Sequence, residues 1–157
     1  MKIYSTPSRK DRAAAQEAMS VMGVLKLSEL PYTEISGGER QLVLIARAIA
    51  QEADYLIMDE PSANLDFGNQ VRVMELIKKL AADGRGVIMT THYPDQVFMA
   101  ESYCTVIRDR DHFISGRTEE ILTEEIMKEL YGIETRVIAS VSESGRKARS
   151  VTAYGTL

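Results

Sequence analysis

The chain has 157 residues, 45% hydrophobic and 27% charged, with a formal net charge of −4. That length suffices for one domain with a real core, the composition is ordinary for a globular protein, and the lack of a basic surplus argues against nucleic acid as a direct partner. Apolar runs such as Leu42 to Ala46 fall far short of the ~20 residues that cross a bilayer, no charged-then-apolar leader marks export, and the single cysteine, Cys104, fits a reducing cytoplasm.

No internal repeat is visible. Residues 1–9 are polar and irregular and read as a linker or frayed end. Asp11 to Met22 predicts a helix, with Ala14, Ala18, Val21 and Met22 at helical spacing and Gly23 closing it. Leu25 to Leu30 is a connector stopped by Pro31, and Gly37 to Gln51 is a second helix. Tyr55 to Met58 is a continuous apolar run, as for a strand buried on both faces. Asn69 to Ala82 is a third helix with Val71, Met74, Ile77 and Leu80 (or Leu76) on one side, ended by Gly84.

Gly86 to Thr91 reads as another buried strand, and Pro94 to Ala100 as a helix with proline in its first turn. Tyr103 to Arg108 and His112 to Ile114 form a hairpin. Thr118 to Leu122 and Thr123 to Tyr131 are short helices, each with threonine at the cap and glutamate in the first turn. Thr135 to Val141 is a candidate strand, followed by the polar "SESGRKARS" and a last run at Val151 to Tyr154. Strand and helix alternate through the middle, so an α/β fold with a mainly parallel sheet is expected.

Three stretches carry chemistry. In "EISGGERQLVLIARAIAQ", Ser36 followed three positions later by Glu39 makes a capping box. The box alone accounts for Ser36 and Glu39 but leaves Gly37 and Gly38 unexplained, since glycine in a helix costs about 1 kcal/mol against alanine. Such glycines admit the close approach of another backbone or of a ligand, and a helix N-terminus attracts anions.

In "YLIMDEPSANLD" an apolar strand delivers Asp59 and Glu60 to its carboxyl end, where open α/β sheets bind ligands. One carboxylate there suits Mg²⁺ and the other an attacking water; the bland alternative is a charged strand end. In "GVIMTTHYPD" a second strand ends in Thr90, Thr91 and His92. That histidine either senses a phosphate or merely caps the next helix.

Taken in order, these stretches resemble the second half of an ATP-binding-cassette (ABC) ATPase. "ISGGE" is similar to the family's signature motif, usually Leu-Ser-Gly-Gly-Gln, "YLIMDE" to its Walker B strand, "SANLD" to its D-loop and "THYPD" to its switch-histidine loop. The likeness runs from about Pro7 to Ile133, and "RQLVLIARAIAQ" with "ILTEEIMKELYGIE" most resembles importer ATPases for iron-siderophore, haem or vitamin B12 uptake.

The resemblance implies the C-terminal portion of a P-loop NTPase fold, a mainly parallel sheet flanked by helices with part of the helical signature subdomain. Residues 1–52 would end that subdomain, 53–134 would form the C-terminal half of the ATPase core, and 135–157 would be an extension. It implies that Ser36, Gly37 and Gly38, with Glu39 in the position usual for glutamine, meet the γ-phosphate of ATP held by an opposing subunit. Asp59 would support Mg²⁺, Glu60 would be the general base, Asp66 would couple the two sites and His92 would be the switch. Implied partners are a second ATPase subunit in a homodimer and membrane-spanning permease subunits, with the protein cytoplasmic and peripheral on the inner face of the cell membrane.

A phosphate loop requires Gly-x-x-x-x-Gly-Lys-[Ser/Thr]. Lysines occur at positions 2, 10, 26, 78, 79, 128 and 147, and none follows that pattern. The family places this loop and its Q-loop upstream of the signature, so the chain reads as starting just after the Q-loop and is expected to be inactive alone. It would then be a fragment of an importer ATPase, a non-catalytic interaction module or half of a split ATPase, or derive from an ABC ATPase outside transport. Without the neighbouring strand, residues 86–91 would expose an apolar edge open to non-native self-association.

Overall fold

Ser8 starts the first helix. In the computed structural model, which describes residues 6–156, its hydroxyl accepts the Asp11 N–H at 3.2 Å while its own N–H donates to Asp11 Oδ2 at 2.8 Å. This reciprocal box satisfies two donors the helix cannot, so α1 runs Arg9–Val21. The irregular N-terminal stretch therefore ends earlier than expected, and its residues 1–5 lie outside the described residues. Ala18 and Met22 are buried, whereas Val21 is exposed. A 3-10 turn, Leu25–Leu27, and a second, Tyr32–Glu34, lead to α2, Gly37–Ala50, which packs against α1 with Leu42, Ile45 and Ala46 buried.

Two strands and a helix complete a unit that extends to Thr90: β1 (Tyr55–Asp59), α3 (Phe67–Ala82) and β2 (Gly86–Thr90). The strands pair in parallel, Tyr55 opposite Gly86 through Asp59 opposite Thr90. Helix α3 lies against β2 and buries Val73, Met74, Ile77 and Leu80. Val73 takes the place expected for Val71, which is half-buried, and the helix begins at Phe67, two residues before Asn69, behind its Asp66 cap. β1 is not buried on both faces. Leu56 and Met58 are buried while Tyr55 and Ile57 are 77% and 81% exposed, so the strand follows the two-residue alternation of a one-sided sheet.

The second unit begins at Thr91. It holds α4 (Pro94–Ala100), the antiparallel pair β3 (Tyr103–Ile107) and β4 (Phe113–Arg117), α5 (Thr118–Ile121), α6 (Glu124–Tyr131) and the antiparallel pair β5 (Ile133–Val141) and β6 (Lys147–Thr156). Phe98, Leu122 and Met127 form its core, with Val97, Val106, Val137 and Val151 around them. Thr123 caps α6 by accepting the Ile126 N–H at 3.3 Å. Thr118 does not cap α5; it is buried, and its hydroxyl donates to the Ser102 carbonyl at 2.8 Å.

Of the mainly parallel sheet expected, the described residues contain the β1–β2 pair; the other two pairs are antiparallel hairpins. β6 also reaches back into the polar "SESGRKARS", because Lys147 to Ser150 are exposed and water tolerates their side chains while the ladder uses only backbone. Among the described residues no helix is long and apolar enough to cross a membrane.

Tyr55, Ile57 and Ile88 leave one face of the β1–β2 pair apolar and exposed. Sedimentation of the 157-residue chain is therefore expected to show concentration-dependent self-association. Ile57→Lys should shift it toward monomer while changing stability by no more than about 0.5 kcal/mol; a wild-type chain that stays monomeric at high concentration contradicts this.

Candidate functional site

At the start of α2, Ser36 sits in extended backbone as the N-cap. Its hydroxyl accepts the Glu39 N–H at 3.3 Å and donates to Glu39 Oε2 at 2.8 Å, and its N–H donates to the same oxygen at 3.0 Å. The backbone N–H and then the hydroxyl of Ser36 hold the Glu39 carboxyl below its ordinary 4.5. The negative charge at Glu39 is thus bound into its own helix cap, and Ile35 beside it is buried.

The two glycines separate by environment. A Cβ on Gly38 would lie 3.3 Å from the Asn64 carbonyl oxygen and 3.6 Å from Leu65 Cδ2, so this glycine exists for the approach of another stretch of backbone. A Cβ on Gly37 would meet nothing within 4 Å. The first-turn N–H groups of both residues have no partner within the helix.

The stretch that approaches Gly38 is the one following Glu60. Gln41 Nε2 fastens α2 to it by donating to the Pro61 carbonyl at 3.0 Å. Asn64 turns through φ +61°, which asparagine tolerates, and Asp66 caps α3. Its Oδ1 accepts the Asn69 N–H at 2.9 Å and its Oδ2 the Asn69 side-chain amide at 2.7 Å. The Asn69 N–H in particular keeps the Asp66 carboxyl below the ordinary 3.8. Ser36, Gly38, Glu39 and Asp66, with Leu42, Asn64, Leu65 and Asn69, line one open cleft of about 490 Å³.

Asp59 is the last residue of β1 and Glu60 the first beyond it. Asp59 Oδ1 accepts a hydrogen bond from the Thr90 hydroxyl. The Glu60 N–H donates to Thr90 Oγ1 and to the Thr90 carbonyl, both at 3.2 Å. Glu60 itself adopts φ +44°, a left-handed conformation that a non-glycine residue holds only at a cost of about 1–3 kcal/mol.

His92 belongs to the second unit, between Thr91 and the Tyr93 that caps α4. Its carbonyl accepts from the Tyr131 hydroxyl at 3.3 Å, and its ring lies 4.1 Å from that of Tyr93. Thr91 Oγ1 accepts the Tyr93 N–H at 3.1 Å and donates to Gln96 Oε1 at 2.8 Å, fixing the turn into α4.

The structure therefore brings Ser36, Gly38, Glu39 and Asp66 to one cleft and sets Asp59 and Glu60 side by side at the end of β1. Sequence reasoning did not find Gln41 or Arg40, whose guanidinium donates to the Tyr32 carbonyl at 3.1 Å and the Thr33 carbonyl at 3.0 Å and so holds the turn before Ser36. Both residues join a helix side chain to backbone elsewhere, and no local pattern announces these bonds. Among the described residues no group of three or more His, Cys, Asp or Glu side chains is placed to hold a metal ion.

The ABC transporter family matches residues 1–63. An uncharacterized ABC transporter ATP-binding protein of Haemophilus influenzae is 41% identical over 131 residues, which cover 83% of this chain and 50% of that protein. A solved ABC transporter in an inward-facing conformation, assigned to the metal-chelate type, superposes with a TM-score of 0.85 at 28% identity, covering 99% of this chain and 61% of its own. The chain belongs to the ABC transporter ATPase family. The molybdate import ATP-binding protein MolC of H. influenzae is 37% identical over 82% of this ABC ATPase chain and 51% of its own length. The chain spans about half the length of these curated relatives.

Two outcomes follow for the cap. Gly37→Ala is expected to raise stability in urea by up to about 1 kcal/mol, and Gly38→Ala to gain less, because the Asn64 carbonyl must give way; equal gains contradict the assignment. Since Glu39 titrates lower in the folded state than in the unfolded one, the folded state binds fewer protons near pH 4.5 and stability rises with pH there. The contribution is present above 4.5 and is lost as pH falls below it, so Glu39→Gln should flatten this part of the acid limb of a pH–stability curve.

Proposed function

We propose that this chain contributes the signature helix and the water-activating acids of an ABC importer's ATPase, with the phosphate-holding loop supplied by a separate segment or polypeptide. The observation that carries this reading is the cleft shared by Ser36, Gly38, Glu39 and Asp66, which joins two motifs distant in sequence at one opening. In this reading the N–H groups of Gly37 and Gly38, with Ser36, meet the γ-phosphate of ATP on an opposing subunit, and Glu39 holds Ser36 in place. The open space at Gly37 fits an incoming phosphate.

Asp59 offers one oxygen donor to Mg²⁺, an ion that keeps several waters and takes one or two carboxylates beside substrate phosphates. Glu60 orients and deprotonates the attacking water, Asp66 couples paired sites, and His92 senses the phosphate from its turn before α4. Residues 1–52 then belong to the helical subdomain, 53–134 to the ATPase core and 135–157 to an extension. The partners are a second ATPase subunit and permease subunits, at the cytoplasmic face of the membrane. The metal-chelate assignment of the superposed transporter supports an iron chelate or cobalamin-like cargo; the relative named for molybdate import shows that the family's cargo is wider.

The 157 residues contain no phosphate-loop pattern, so a polypeptide of this sequence is expected to hydrolyse ATP negligibly. Mixed with a polypeptide carrying the phosphate-loop half of a relative, it should yield Mg²⁺-dependent hydrolysis that Glu60→Gln lowers by about 100-fold or more. Hydrolysis indifferent to Glu60→Gln overturns the assignment, and a mixture that binds ATP without turnover marks an interaction module instead.

A further inference from the structure

Thr90 stands opposite Asp59 in the β1–β2 register, and its hydroxyl is engaged twice. Its one proton goes to Asp59 Oδ1, and its oxygen accepts the Glu60 N–H at 3.2 Å. A second bond from the same N–H ends on the Thr90 carbonyl at 3.2 Å. One residue of β2 thus holds both acids at the end of β1, across a separation of about thirty positions in the chain. Glu60 leaves that bracket in the left-handed conformation, φ +44°. Such a conformation persists in a non-glycine residue only where its surroundings impose it, and the bonds to Thr90 are placed to do so.

We infer that Thr90 is a positioning residue for the acidic pair, its hydroxyl orienting Asp59 and fixing the backbone turn that aims Glu60. The inference rests on the roles proposed above for those two carboxylates. The chemistry demands a hydroxyl: only a group that donates once and accepts at the same oxygen makes both bonds. Serine can replace it, whereas valine keeps the shape and β-branching of threonine and loses both hydroxyl bonds, leaving the Glu60 N–H only its bond to the carbonyl of residue 90.

Two measurements separate this inference from the parent reading. In the isotope-labelled 157-residue chain, NMR of the Asp59 carboxyl carbon and of the Glu60 backbone couplings reports the bracket without any nucleotide. Wild type and Thr90→Ser are expected to show a left-handed Glu60 and a common Asp59 carboxyl shift. Thr90→Val should lose both while resonances of the Val73 and Met74 core stay in place; Thr90→Ala serves if the valine variant does not fold. Retention of the left-handed Glu60 and the Asp59 shift in the hydroxyl-free variant overturns the inference.

In the complemented ATPase, Thr90→Val should lower kcat by about 10-fold or more with KM for MgATP nearly unchanged, and Thr90→Ser should restore most of it. A serine variant as impaired as the valine one, or a loss confined to KM, overturns the inference. If the wild-type mixture shows no hydrolysis, the proposed function fails, and the NMR comparison still decides whether Thr90 holds the pair.

Discussion

The parallel ladder between β1 and β2 is the constraint on which the site depends. Its register puts Asp59 across from Thr90, so the carboxylate ends its strand beside a hydroxyl. Strand side chains alternate with a period of two, and a slip of one residue would turn every one of them to the other face. Met58 and Leu56 are buried on one side of the pair and Ile57 and Tyr55 are exposed on the other. Hydrophobic burial on that single face therefore fixes the register, and the register fixes where the acids emerge.

A second constraint comes from the helix that opens at Ser36. Its N-terminal donors are partly consumed by its own cap, since Glu39 takes both the N–H and the hydroxyl proton of Ser36. The donors that remain at this end are the N–H groups of Gly37 and Gly38. Substituting glutamate for the family's usual glutamine therefore changes the electrostatics of the cap more than its shape, because the carboxylate is bound by local donors instead of facing the opening alone. The cleft beyond it is walled by the Asn64 to Asn69 stretch, which Gln41 draws to α2 through the Pro61 carbonyl.

In the second unit the turn that carries His92 is held from elements later in the chain. The Tyr131 hydroxyl bonds the His92 carbonyl, and Asp95 Oδ1 accepts the Val151 N–H at 2.7 Å. α6 and β6 thus tie down the first turns of α4, and burial of Phe98 and Met127 beneath them supplies the adhesion. Within the proposed extension, Val137 of β5 and Val151 of β6 pack on that core, β5 against α6 and β6 against α4.

The amino-acid order alone determined the helices and most strands, because apolar spacing and capping residues are local signals: Ser36 with Glu39, Thr123, Pro94 and Gly84 mark their ends by chemistry within one turn. It also carried the motifs by which Asp59, Glu60 and Asp66 are named. It misjudged β1 as buried on both faces, since an apolar run cannot report what covers it, and it passed over β6 before Val151, since a ladder of backbone bonds leaves no trace in exposed lysine and arginine. Only the tertiary structure decided that Gly38 serves a neighbouring backbone while Gly37 faces open space, and that Thr90 bonds both acids. Those facts join positions some thirty residues apart, and contact at that range is set by the packing of whole elements.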